Sequence, residues 1–155
     1  MKKILLLVAV FTSALVQSSF AQNTHSPELL TSYYSLKDAL VGGDAETAYK
    51  KASELNKAIE NTDSKIVGSK EKAELLKHTA LIYGTKDIKV QREHFAPLST
   101  GIIALAKSAK LSPDPIYIQY CPMKKSSWLS SDKAVKNPYY GSAMLTCGKV
   151  TETIN

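Results

Sequence analysis

The stretch IKVQREHFAPLSTGIIALAKSA, residues 88–109, decides the fold class. Ile88, Gln91, Phe95, Leu98, Ile102, Leu105 and Ala109 recur at helical spacing and place one apolar face along a long helix. Pro97 sits inside that pattern and removes one backbone donor, which predicts a kink but not an end, because the apolar period resumes beyond it. Asp87 stands where an N-cap is needed.

Working back toward the N-terminus, three more helices precede it. Ser26-Pro27-Glu28 is a helix start, with Leu29, Tyr33, Leu36 and Leu40 on one face and Gly42-Gly43 as the stop. Asp44 caps a second helix in which Ala45, Ala48, Ala52, Leu55 and Ile59 share a face, ending near Asn61. A third is expected from about Lys70 to Tyr83, with Ala73, Leu76, Ala80 and Tyr83 inward and Gly84 after it. Short loops between amphipathic helices predict a mainly α fold, an antiparallel up-down four-helix bundle over residues 27–110.

Beyond it the character changes. Pro113-Asp114-Pro115 disfavours helix, and Ile116 to Tyr120 is β-branched and aromatic, so it reads as a strand. Lys149 to Ile154 is a second strand that could pair with it. Residues 113–155 therefore form a short β-containing C-terminal segment, bearing the chain's two cysteines.

Residues 1–21 read as a cleavable signal: Lys2 and Lys3, then apolar Ile4 to Val16, then Ser19-Phe20-Ala21. The apolar run is shorter than the roughly 20 residues a spanning helix needs. The expectation is a periplasmic or secreted protein with residues 22–155 as a single domain and no membrane span after cleavage. The formal charge of +6 includes Lys2 and Lys3, so residues 22–155 carry a mild +4; basic and acidic residues interleave, and no basic stripe of the kind nucleic acid requires is present. No Gly-x-Ser-x-Gly elbow, Cys-x-x-Cys pair or phosphate loop occurs, so an enzyme is not expected.

Chemistry concentrates near the C-terminus. Cys121, Met123, Met144 and Cys147 are all the sulfurs other than Met1, and thiolate with thioether suits copper(I). Trp128, the only tryptophan, could shield a bound cation through its ring face. The alternative is a disulfide between Cys121 and Cys147, the common fate of two cysteines in an exported chain. Asn137-Pro138-Tyr139-Tyr140-Gly141 reads as a turn setting two tyrosines on the core. His25 lies in the N-terminal tail, and His78 and His94 read as helix-surface or boundary residues.

Tyr120-Cys121-Pro122-Met123, Trp128-Leu129, Asn137-Pro138-Tyr139-Tyr140-Gly141 and Met144-Leu145-Thr146-Cys147-Gly148 together resemble an uncharacterised bacterial family of periplasmic domains. Its members occur alone or appended to the adaptor (membrane fusion) subunits of heavy-metal efflux systems. The resemblance extends through residues 33–40 and 92–99. It implies a helical domain associated with copper or silver handling, with Cys121, Met123, Met144 and Cys147 at the motif positions and an efflux adaptor or other envelope protein as partner. With the residue chemistry, it yields the expectation of a soft-metal carrier or sensor; a disulfide-stapled interaction module without metal is the other reading.

Overall fold

The computed structural model describes residues 27–155; the expected signal, the Ser26 cap and His25 lie outside them. The chain is mainly helical, with α1 Pro27–Gly42, α2 Ala45–Asn61, α3 Ser69–Tyr83 and α4 Ile88–Ser108, followed by β1 Ile116–Cys121, β2 Ser126–Ser130, a 3-10 turn Gly141–Met144 and β3 Lys149–Ile154. Each helix packs chiefly against its neighbour in sequence.

The caps follow from side-chain chemistry. Asp44 Oδ1 accepts the Thr47 N–H at 2.9 Å and Asp87 Oδ1 accepts the Lys89 N–H at 2.8 Å, each satisfying an amide that the first helical turn leaves unpaired. Between α1 and α2 the chain reverses through Gly43 at φ +74, in the left-handed region that a side chain disfavours. The α4 helix runs unbroken through Pro97. Its face of Gln91, Phe95, Leu98, Ile102 and Leu105 is buried, as are Leu29, Tyr33, Leu36 and Leu40 of α1 and Ala48, Ala52, Leu55 and Ile59 of α2.

Two expectations need correction. In α3 the buried positions are Leu75, Thr79 and Ile82, while Ala73 is exposed and Leu76, Ala80 and Tyr83 are half-buried. The helix is rotated relative to its apparent apolar stripe because Thr79 can be buried with its polar atom satisfied. Its hydroxyl bonds the Leu75 carbonyl at 3.0 Å and Asn56 Oδ1 at 2.8 Å. Second, the C-terminal segment contains a strand not anticipated from sequence, β2, whose three serines mask its β character.

The sheet is antiparallel in the order β2-β1-β3, with Ile118 opposite Leu129, Gln119 opposite Trp128 and Cys121 opposite Ser126. The expected pairing of β1 with β3 is present, interrupted by an irregularity between Ile118 and Gln119. The sheet does not trail behind the helices: Ile116, Ile118 and Leu129 belong to the same core as the helical leucines. The other face of β1 is buried too, because Gln119 Nε2 donates to the carbonyls of Asp132, Lys133 and Ala134 and draws that loop across it.

β2 is an edge strand, and its outward polar groups are met by tyrosines. The Leu129 N–H donates to the Tyr33 hydroxyl at 3.1 Å, and the Tyr139 hydroxyl donates to the Ser127 carbonyl at 2.7 Å. Tyr33 Oη also bonds Ser99 Oγ of α4 at 2.7 Å, so one buried hydroxyl joins α1, α4 and β2. Burial outweighs these hydrogen bonds and pushes the Tyr33 phenol well above its ordinary range, so it stays protonated.

Tyr33→Phe is expected to destabilise the fold by about 1–3 kcal/mol, the cost of leaving buried polar groups unpaired. Urea unfolding would report it as a lower midpoint at unchanged slope. An unchanged midpoint would mean that the Leu129 amide has another partner.

Candidate functional site

Sheet register brings the cysteines together. Tyr120 pairs with Lys149, which puts the end of β1 beside the start of β3; Cys121 is the last residue of β1 and Cys147 lies just before β3. Their Sγ atoms lie 3.6 Å apart and both thiols are free. Cys121 is fully buried and Cys147 half-exposed, so access is from the Cys147 side.

The hairpin turn 122–125 supplies the electrostatics. Burial pushes the Cys121 thiol up, but the Lys124 N–H at 3.4 Å from Sγ, the Asn137 side chain, the Cys147 thiol and the Met123 N–H together outweigh it and hold Cys121 below a free cysteine's range. Cys147 is pushed up by its contact with Cys121 first and by burial second. The two thiols are thus shifted in opposite directions, Cys121 down and Cys147 up.

Asn137 organises the second half of the site and is fully buried. Its Oδ1 accepts the Tyr139 N–H at 2.8 Å and the Tyr140 N–H at 3.3 Å, and its Nδ2 donates to the Cys147 carbonyl at 2.7 Å. Sequence reasoning assigned Asn137 only to a turn; the signal was the Asn-Pro start, which favours a side chain capping its own turn. Tyr139 is buried and Tyr140 half-buried against the core, as the turn reading expected.

Two glycines are required by space. Gly148 has φ +149, and a β-carbon there would sit 3.0 Å from both the Tyr120 carbonyl and Trp128 Cη2. Gly141 has φ +56, and a β-carbon would meet Arg92 Nη2 and lie 2.9 Å from the Val41 carbonyl. Arg92 Nη2 donates to the Leu40 carbonyl at 2.7 Å, so it both closes the end of α1 and forms the seat for Gly141.

The two methionines expected to join the cysteines lie at the surface. Met123 follows Cys121 in the turn and is 63% exposed; Met144 precedes Cys147 by one turn and is 39% exposed, its carbonyl accepting the Cys147 N–H at 3.0 Å. Leu145 beside it is also exposed. Trp128 is fully buried, edge-on to Tyr139 with centroids 5.8 Å apart, and its indole N–H has no hydrogen-bond partner. Among the described residues no group of three or more His, Cys, Asp or Glu side chains converges as a metal site.

This architecture defines a mainly helical domain carrying a small antiparallel sheet with a dithiol at its end. A family model described as a protein of unknown function (DUF3347) matches residues 29–114, more than half of the chain, and the chain belongs to that family. The matched region holds the helices and stops before β1, leaving the cysteines outside it. No curated protein and no solved structure matches the chain.

Two outcomes are expected. In the reduced protein, ultraviolet thiolate absorbance should rise in two separated steps, one below and one above the range of a free cysteine, with apparent values belonging to the pair. Cys147→Ser should leave a single step; two coincident steps in the parent protein would refute the opposite shifts of the two thiols. Asn137→Ala should lower stability by about 1–3 kcal/mol in urea unfolding through the amides and carbonyl it orphans; an unchanged stability would show that the loop is held by other contacts.

Proposed function

We propose that this protein is a non-catalytic carrier or sensor of a soft metal ion, copper(I) foremost, acting in the periplasm or outside the cell. The observation that carries the reading is the Cys121–Cys147 sulfur pair at 3.6 Å with amide donors turned on Cys121. Thiolate is the ligand type that soft ions select, and a thiol shifted down, as Cys121 is, gives up its proton to a cation more readily.

The separation also bears on coordination number. With metal–thiolate bonds of about 2.3 Å, sulfurs 3.6 Å apart subtend roughly 100° at the ion. A linear two-sulfur site would need them about 4.6 Å apart by the same bond length. The pair therefore suits a bent site with further ligands, and Met123 and Met144, exposed beside the two cysteines in sequence, are the thioethers for that role. Trp128 belongs to the wall behind Gly148 and would limit water on the buried side. The resemblance of the C-terminal motif to domains appended to efflux adaptors supports such an adaptor, or another envelope protein, as the partner. No described helix is long and apolar enough to cross a membrane.

The same closeness of the sulfurs favours a second reading, a disulfide-stapled interaction module, since a small side-chain rotation in an oxidising compartment would join them. Copper(I) titration under anaerobic reducing conditions against a competing chelator separates the two, run beside Cys121→Ser, Cys147→Ser protein and a thiol count of the protein as isolated. One tight equivalent, lost in the double variant and weakened at least tenfold in Met123→Leu, Met144→Leu, is expected. No binding, with no free thiol as isolated, would overturn the carrier reading in favour of the staple.

A further inference from the structure

A second constellation lies on the helices and contains no sulfur. The connection between α3 and α4 is short, so residues at similar distances from it come opposite one another, and His78 meets His94 there. Their ring centroids are 6.1 Å apart with planes inclined by 32°. The His78 side chain is 19% exposed, its Nδ1 is buried without a hydrogen-bond partner, and its Nε2 lies 4.0 Å from Glu74 Oε2.

A buried ring nitrogen with nothing to bond is rare in a folded protein, and one that stands beside a second imidazole is in the arrangement that a metal ion resolves. We propose that His78 and His94 form a two-imidazole site for a divalent transition-metal ion, zinc or copper(II), with water filling the other positions. Metal–nitrogen bonds of about 2.0–2.1 Å, with about 1 Å more from nitrogen to ring centre, set two imidazoles on one ion with centroids roughly 5 to 6 Å apart. The observed 6.1 Å stands at the upper edge of that range, so side-chain rotation closes the site without moving the helices.

Glu74 stands on the other side of the ring, its Oε2 4.0 Å from Nε2, beyond hydrogen-bond distance but near enough to be drawn in when the ring carries an ion. Burial first, and then the charges of Lys77 and His94, hold the His78 imidazole below its ordinary range, against the smaller opposing pull of Glu74. Lys77 also pairs with Glu74, at 3.2 Å. Imidazole and water suit borderline ions, whereas the dithiol suits copper(I), so the two sites divide ions by softness.

The test uses protein carrying Cys121→Ser and Cys147→Ser, titrated with zinc and separately with copper(II) against a chromophoric chelator, with long-range proton–nitrogen spectra of the histidine rings in the zinc samples. One equivalent is expected, shifting the ring nitrogens of His78 and His94 together. Binding should weaken at least tenfold in His78→Asn and in His94→Asn. Protein with alkylated cysteines serves in place of the serine variant if helical circular dichroism shows that variant unfolded. Absence of binding by folded protein, or binding undiminished by the histidine substitutions, would overturn the proposal. Neither result bears on copper(I) capture by the sulfurs.

Discussion

A single phenol hydroxyl, that of Tyr33, is the contact on which the rest of the molecule turns. A helical body can satisfy its own backbone, but a three-stranded sheet cannot, because each outer strand presents unpaired amides and carbonyls. Here the Tyr33 hydroxyl takes the Leu129 amide of β2 and bonds Ser99 of α4, so that an edge which would otherwise attract another chain becomes an internal seam. Tyr139 closes the next position along the same edge. An aromatic series follows the seam: Tyr33 stacks on Phe95, Phe95 meets Tyr139, and Tyr139 meets Trp128.

This seam gives physical meaning to two helical stretches, residues 33–40 and 92–99, that lie within the matched family region. Residues 33–40 contain Tyr33 and Leu40, and residues 92–99 contain Arg92, Phe95 and Ser99. These are the side chains and carbonyls that receive the C-terminal segment: Tyr33 and Ser99 at β2, Arg92 and the end of α1 at Gly141. The helices are thus a mount for the loop and sheet as much as a core of their own.

Helix existence and capping were legible from the sequence because they rest on local chemistry, as at Asp44 and Asp87, and on the simple period of α1, α2 and α4. The inward face of α3 was not, since Thr79 is buried only by virtue of Asn56 on another helix. β2 was hidden because its serines carry no strand signal, and what makes it a strand is pairing with β1 and the tyrosines along its edge. For the candidate site, sequence singled out the sulfurs, and both of its readings joined Cys121 to Cys147, but it showed neither what holds them together nor that Met123 and Met144 lie at the surface. The proximity of the cysteines depends on the β1–β3 register, and the buried role of Asn137 depends on a carbonyl ten residues away. The pairing of His78 with His94 depends likewise on how two helices face each other.

The last strand is exposed along most of its length and is held by β1 on one side only, with Lys107 of α4 gripping Glu152 at 2.6 Å. The sulfur pair stands where that strand begins. Whatever bridges the two sulfurs, whether an ion or a covalent bond, also ties the root of β3 to the centre of the sheet, so occupancy and strand attachment are thermodynamically linked. A bridge between the sulfurs would therefore be felt in the C-terminal strand as order of the main chain, at a distance from either cysteine.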